Sequence, residues 1–320
     1  MEYRKLISFG KSSYVVSLPK SWIKQNQLKK GDLIYLEESK EGLILQANYQ
    51  DKNAEETEIV INVNNKSLKR IQREIIAAYI HNFKKIICVG KEVKTKATKI
   101  QEIIQKLVAL EIIEQDNNKI VAKDFLNLND ISLNQIVKKM DVISRSMLSD
   151  CKNMFKEDNS TSIYNRDQDI NKFRYLVYRI VWYGMSNPTA AFKKFNLSQV
   201  DLFNYWWFSL SIEQIGDCIK RIARHLKETK LNKKNQEDYL NLLTGIEKEY
   251  LDILKAYYAN DVESSHNILN ERGDLIRKAD DFFYNNREAP YIGFLVYNTK
   301  ALIVNINVIA RTIYQGMPSL

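Results

Sequence analysis

Apolar residues change their spacing twice along this 320-residue chain, and each change marks a different kind of architecture. In residues 1–49 they come in short β-branched and aromatic runs cut by Gly and Pro. Tyr14-Val15-Val16-Ser17-Leu18 lies between Gly10-Lys11-Ser12-Ser13 and Pro19, which predicts a strand. Pro19 suits a first helical position, so residues 20–26 predict a short helix with Trp22 and Ile23 turned inward. Lys30-Gly31-Asp32 is a turn before a strand at 33–38, and Gly42 turns the chain into a strand at 43–46.

Residues 58–124 alternate. A strand at 58–63 precedes a helix at 67–81 with Leu68, Ile71, Ile75 and Ala78 on one stripe. A strand at 85–89 precedes a helix at 94–110 that carries Ile100, Ile103, Ile104 and Leu107. Strands at 111–115 and 119–122 pair around Asp116-Asn117-Asn118 as a hairpin, completing a small α/β unit.

From Ser132 onward the period is helical. Ser132 and Gln135 have capping-box spacing and open a helix with Leu133, Ile136, Val137, Met140, Ile143, Met147 and Cys151 on one side. A second helix at 163–183, dense in aromatics, stops before Asn187-Pro188. A third, capped by Ser198 and Asp201, runs to 228 with Ile212, Ile215, Ile219, Ile222 and Leu226 inward. Helices at 235–258, 261–285 and 291–315 repeat the theme, so two sets of three long helices predict tandem three-helix bundles. The expected fold class is multidomain α+β, with domains at 1–49, 58–125, 130–230 and 234–317 and a charged linker at 50–56.

Charge changes the picture at the N-terminus. The charged side chains between residues 4 and 30 are Arg4, Lys5, Lys11, Lys20, Lys24, Lys29 and Lys30, and Glu2 is the only acid before Asp32. The whole chain carries a net charge of +9, and such a surplus favours phosphate-bearing partners. Cys88, Cys151 and Cys218 are far apart without C-x-x-C spacing, and read as buried small hydrophobes in a reducing compartment. No apolar run is expected to reach membrane-spanning length, and Met1-Glu2-Tyr3-Arg4 does not begin a signal peptide, so the expectation is a cytoplasmic protein without membrane insertion. With no nucleophile–base pair, no Gly-rich phosphate loop and no acid or thiol spaced usefully from His81, no enzyme is expected. Tyr205-Trp206-Trp207-Phe208 contains no basic residue and reads as bundle core with a partner-facing edge, not as a base-stacking platform.

A module as small as residues 4–46 buries too little apolar surface to be stable alone and normally borrows a core. Its ordered pattern is a basic strand, the Gly10-Lys11-Ser12-Ser13 loop, Val15-Val16-Ser17-Leu18-Pro19-Lys20-Ser21-Trp22, Leu28-Lys29-Lys30-Gly31-Asp32 and a closing hairpin. It resembles the AbrB/MazE/SpoVT family of swapped-hairpin DNA-binding domains. That resemblance implies a β-barrel interleaved from two chains, hence a homodimer and DNA as partner. Within it, Arg4, Lys5, Lys11 and Lys20 would neutralise phosphates, with Ser12 and Ser13 hydrogen bonding from the loop.

One helical segment stands out chemically. Glu213 and Asp217 place carboxylates at i and i+4 on one helix face, where like charges repel. Either a hard cation bridges them or Lys220 and Arg221 neutralise them. Gly216 between them allows a neighbouring helix to approach closely.

The stretch Glu213-Gln214-Ile215-Gly216-Asp217 resembles the signature helix of the PhoU phosphate-signalling regulators, and Asp167 and Asp169 match that family's preceding acidic segment. The likeness covers residues 132–316 and implies a PhoU-like six-helix fold. It also implies a divalent or ferric ion held by Asp167, Asp169, Glu213 and Asp217 in the first repeat. Asn171 departs from the family's further Asp, and Lys300 and Val304 stand where the second repeat would carry its acids. Taken whole, the chain resembles archaeal PhoU-like regulators carrying an AbrB-type domain. The resemblance implies a transcriptional regulator linked to phosphate uptake; the alternative is an adaptor acting on a phosphate transporter ATPase or a sensor kinase through protein contacts.

Overall fold

Two antiparallel hairpins begin the chain in the computed structural model, which describes residues 3–11, 13–39, 42–47 and 57–315. They belong to the first of two compact units, Met1–Glu55 and Glu56–Leu320. β1 (Ile7–Phe9) pairs with β2 (Ser13–Val15), turning at Gly10, whose φ of 71° suits a residue without Cβ. Pro19 stands just before α1 (Lys20–Gln25), one place earlier than the expected first helical position and without a capping hydrogen bond, and β3 (Tyr35–Ser39) pairs with β4 (Gly42–Gln46). The expected barrel is not closed in a single chain: each hairpin stands as its own two-stranded sheet. The physical reason lies in the pairing register. Ile7 faces Val15 across the hairpin, and Phe9 is two residues on, so all three share one face with nothing of this unit covering it. They are 57%, 43% and 69% exposed. The linker expected at 50–56 lies outside the described residues.

In the second unit, β5 (Glu58–Asn62), α2 (Leu68–Ile80), β6 (Lys85–Val89), α3 (Val93–Gln105), β7 (Leu110–Gln115) and β8 (Lys119–Asp124) follow the expected alternation. The sheet runs β5-β6-β8-β7, with β5 and β6 parallel and the remaining pairs antiparallel. Ser67 caps α2 by accepting from the Arg70 N–H, and the apolar stripe Ile71, Ile75 and Ala78 is buried against the sheet core.

The helices α4 (Leu133–Lys152), α5 (Ser160–Ser186) and α7 (Gln199–Glu228) pack on one another, as do α8 (Lys233–Ala259), α9 (Val262–Asn285) and α10 (Ile292–Gln315). α7 against α10 joins the two triples, and a single apolar core runs through both. Ser198 and Asp201 form the full reciprocal capping box on α7. The turn after α5 is not plain loop: Pro188 opens a further helix, α6 (Pro188–Phe195), which sequence reading passed over because Asn187-Pro188 reads as a stop. Gly216 meets Ile170 at the distance expected of a close helix crossing, where a Cβ would stand 3.0 Å from its Cδ1.

α10 corrects one expectation. Its span Ile292–Ile313 is long and apolar enough to cross a membrane by length and composition, with mean hydropathy 1.4. Over half of that window is buried against α7, α8 and α9, as in a bundle's central helix. Its apolar character comes from being covered by protein on several sides, so it lacks the polar stripe a surface helix shows.

Candidate functional site

The basic residues of the first unit are displayed rather than packed. Arg4 and Lys5 precede β1, Lys11 stands at the hairpin tip beyond Gly10, Ser13 opens β2 and Lys20 opens α1, all exposed. Ser12 lies outside the described residues. The described residues 3–31 include no acid, and the Asp32 carboxylate is turned back to accept from the Lys29 N–H at 2.6 Å. A loop of cations beside uncovered apolar strands offers two surfaces: one for a polyanion and one for another polypeptide.

Residues 7–52 match the family model described as antidote-toxin recognition MazE, bacterial antitoxin. The chain carries a MazE-type domain at its N-terminus. No curated protein and no solved structure matches the chain. In the MazE-type domain the hairpin pairing places Arg4 and Lys5 at one end of β1 and Lys11 at the other, so the cations bracket the strand instead of alternating along it.

The helical cluster is built around a lysine. Lys220 Nζ donates to Asp167 Oδ2 at 2.7 Å and to Asp217 Oδ1 at 2.6 Å, tying α5 to α7. Arg221 Nη2 donates to Asp217 Oδ2 at 2.8 Å, and Arg174 Nε stands 4.0 Å from Glu213 Oε2. Asp169 is exposed and does not join them, because residues two apart on a helix point to different faces. Among the described residues no group of three or more His, Cys, Asp or Glu side chains is arranged to hold a metal ion. The implied divalent or ferric ion therefore does not fit this arrangement: the Lys220 ammonium takes the place between the carboxylates that a cation would need. The repulsion expected between Glu213 and Asp217 is relieved by Lys220, Arg221 and Arg174.

Asp167 is almost fully buried, and its Oδ1 has no hydrogen-bond partner. Burial raises its pKa above the ordinary carboxylate value, against the pull of Lys220. Burial raises Glu213 as well, opposed by Arg174 and reinforced by Asp217 and Asp167. For Lys220 burial acts downward, but hydrogen bonds to two carboxylates outweigh it and the pKa is raised.

A second polar cluster was not foreseen in the sequence. Arg179, 1% exposed, sends Nη1 and Nη2 to the two oxygens of Asp124 at 2.9 and 2.6 Å and Nε to Asn82 Oδ1 at 2.8 Å. Its guanidinium lies 4.5 Å from the Tyr79 ring centroid, and Lys84 Nζ reaches Asp124 Oδ2 at 2.8 Å. This knot fastens α5 to the α/β sheet, helped by the edge-on contact of His81 with Trp182 at 4.7 Å. Its sequence signal is a spacing: Gln168, Lys172, Tyr175, Arg179 and Trp182 recur at four and three residues along α5, a second seam besides the bundle-facing one.

The three cysteines are buried and free; burial pushes Cys88 and Cys151 up to about 12 and Cys218 to about 11, which leaves them as unreactive thiols. In the aromatic run, Phe208 is buried and stacks on Tyr257 at 3.9 Å, while Trp207 and the adjoining Phe203 stay partly exposed.

Proposed function

We propose that this protein is a homodimeric DNA-binding transcriptional regulator, in which the MazE-type domain contacts DNA and the helical region receives a signal. The observation that carries this reading is the MazE-type match on a segment whose hairpins leave Ile7, Phe9 and Val15 uncovered between exposed cations. A second chain supplying the other half of a barrel would bury those residues and bring two sets of Arg4, Lys5, Lys11, Ser13 and Lys20 together. The domains are read as 1–49 for DNA and dimerisation, 58–125 as spacer, and 130–230 and 234–317 as two helical repeats. A link to phosphate uptake rests on the likeness of residues 132–316 to the PhoU regulators, with Glu213 to Asp217 as the signature helix.

A second reading has one specific support. The family matched by residues 7–52 is described as antidote-toxin recognition MazE, bacterial antitoxin, so the regulator would also hold a protein partner. That reading shares protein partnership with the adaptor alternative but keeps the DNA contact.

The test is DNA affinity of the full-length protein across a salt series. If a dimer contacts about six phosphates, log K falls against log salt with a slope near −5, at roughly −0.9 per phosphate. Lys11→Ala/Lys20→Ala should flatten the slope by about one unit or more. A slope unchanged in the double variant removes these lysines from the interface. DNA binding together with a stoichiometric co-purifying protein favours the second reading, and absence of DNA binding with such a protein favours the adaptor alternative.

A further inference from the structure

We propose that the cleft between α2, α3 and α5 is a binding site for a small oxyanion. The cleft has a volume of about 170 Å³, room for about five waters at roughly 30 Å³ each. Ile76 and Leu107 form its apolar wall, and its polar groups are Gln72, Lys106, Gln168, Asn171, Lys172 and Tyr175. Two lysines, the half-buried Lys172 and the exposed Lys106, thus line a cleft whose lining contains no carboxylate, and neither forms an ion pair with one among the described residues. Two like charges lining one partly open cleft disfavour each other, and an anion bound between them is attracted to both.

Lys106 stands at the C-terminal end of α3, whose dipole offers roughly half a negative charge there. Two full positive charges outweigh it. The acids close by in sequence or space lie outside the lining: Asp167 accepts from Lys220, Glu102 pairs with Lys99, and Asp169 is exposed to solvent. Gln168 and Asn171 donate to Asp167 Oδ2 at 3.3 and 3.4 Å, so the wall of the cleft is hydrogen bonded to the acid–lysine cluster behind it.

The size excludes a nucleotide and suits phosphate, sulfate or a small carboxylate. Because α2 and α3 belong to the α/β unit and α5 to the bundle, an anion held by Lys106 and Lys172 links the two, as the Arg179–Asp124 knot does further along the same seam of α5. This site is independent of the DNA reading, so DNA affinity is measured on the same samples to keep the two apart.

The experiment is isothermal titration and thermal melting of the full-length protein with inorganic phosphate, sulfate and citrate, each against sodium chloride of equal ionic strength. At least one of the three should bind saturably and raise the melting temperature, and the tightest identifies the source of the oxyanion. Lys106→Gln and Lys172→Gln should each weaken it at least about tenfold, the loss of one charge-assisted contact. Gln72→Glu, which adds a carboxylate from an exposed position without removing packing, should do the same. Lys94→Gln, an exposed lysine of α3 outside the cleft, should bind as wild type. Binding that all three cleft variants retain, or no saturable binding of any of the three anions, overturns the proposal.

Discussion

Asp124 and Asp167 are both buried carboxylates that hold α5 to a neighbour, yet their surroundings drive them in opposite directions. Asp124 accepts two hydrogen bonds from Arg179 and one from Lys84; burial pushes its pKa up, but these partners outweigh it and the pKa falls below the ordinary carboxylate value. Asp167 must share one ammonium with Asp217, keeps an unpartnered oxygen, and ends with a raised pKa. The difference is geometric. A guanidinium presents a planar fork that satisfies both oxygens of one carboxylate, whereas a lysine is a point charge that two acids divide. The first arrangement fixes the α/β unit on the bundle; the second leaves one oxygen of Asp167 unsatisfied inside the bundle, so that a change of pH can shift its charge.

The sharpest way to break the comparison is to remove the fork. Arg179→Met leaves Asp124 buried with Lys84 alone, and such a one-sided cut costs about 3–5 kcal/mol. Arg179→Met/Asp124→Leu should recover most of that loss, since replacing both partners removes the uncompensated charge. Urea unfolding followed by tryptophan fluorescence reads both. If the double variant is no more stable than the single, the knot is held by packing around Tyr79 and Trp182 and not by the ion pair.

How much of this was legible before the structure depends on which interaction fixed each element. The long helices and the α/β alternation follow from local period, and Ser198 and Asp201 cap where their spacing says they should. The α5–sheet knot was legible only as a second seam on α5: its spacing turns Arg179 toward a neighbour, but the partner Asp124 is 55 residues away and nothing local names it. Asp169 was grouped with Asp167 by family likeness, although helical geometry alone places them on different faces. The acid–lysine cluster was half legible: Lys220 and Arg221 lie three and four residues beyond Asp217, while the reach of Lys220 to Asp167 on another helix is tertiary. α6 escaped because a Pro that ends one helix can equally start the next.

A smaller effect separates the two sites from the other side. Lys220→Met leaves Asp167 without its main cation and should cost about 2 kcal/mol at neutral pH, within the range for an unsatisfied buried charged group. Because the carboxyl can escape by taking a proton, the cost should shrink as pH falls toward 5. Melting temperatures of wild type and variant at both pH values measure it. A pH-independent cost would mean that the lysine acts through its methylene packing and not its charge.

The smallest expected effect is a difference in sign. Asp124 has a lowered folded-state pKa, so its contribution is present above the ordinary value of 3.8 and is lost as pH falls through the folded value. Asp167 has a raised one, so the stability belonging to its protonated form is present below 3.8 and is lost as pH rises through the folded value. Substituting Asn at either position removes that titration from the folded protein. Relative to wild type, Asp124→Asn should therefore become progressively worse as pH rises from 3 toward 6, while Asp167→Asn should become progressively better over the same interval. Melting curves at half-unit steps give the two slopes directly, and each variant serves as the other's control for general acid effects. Slopes of the same sign would show that the two carboxylates titrate alike, and that the sharing of Lys220 between Asp167 and Asp217 does not leave Asp167 under-satisfied.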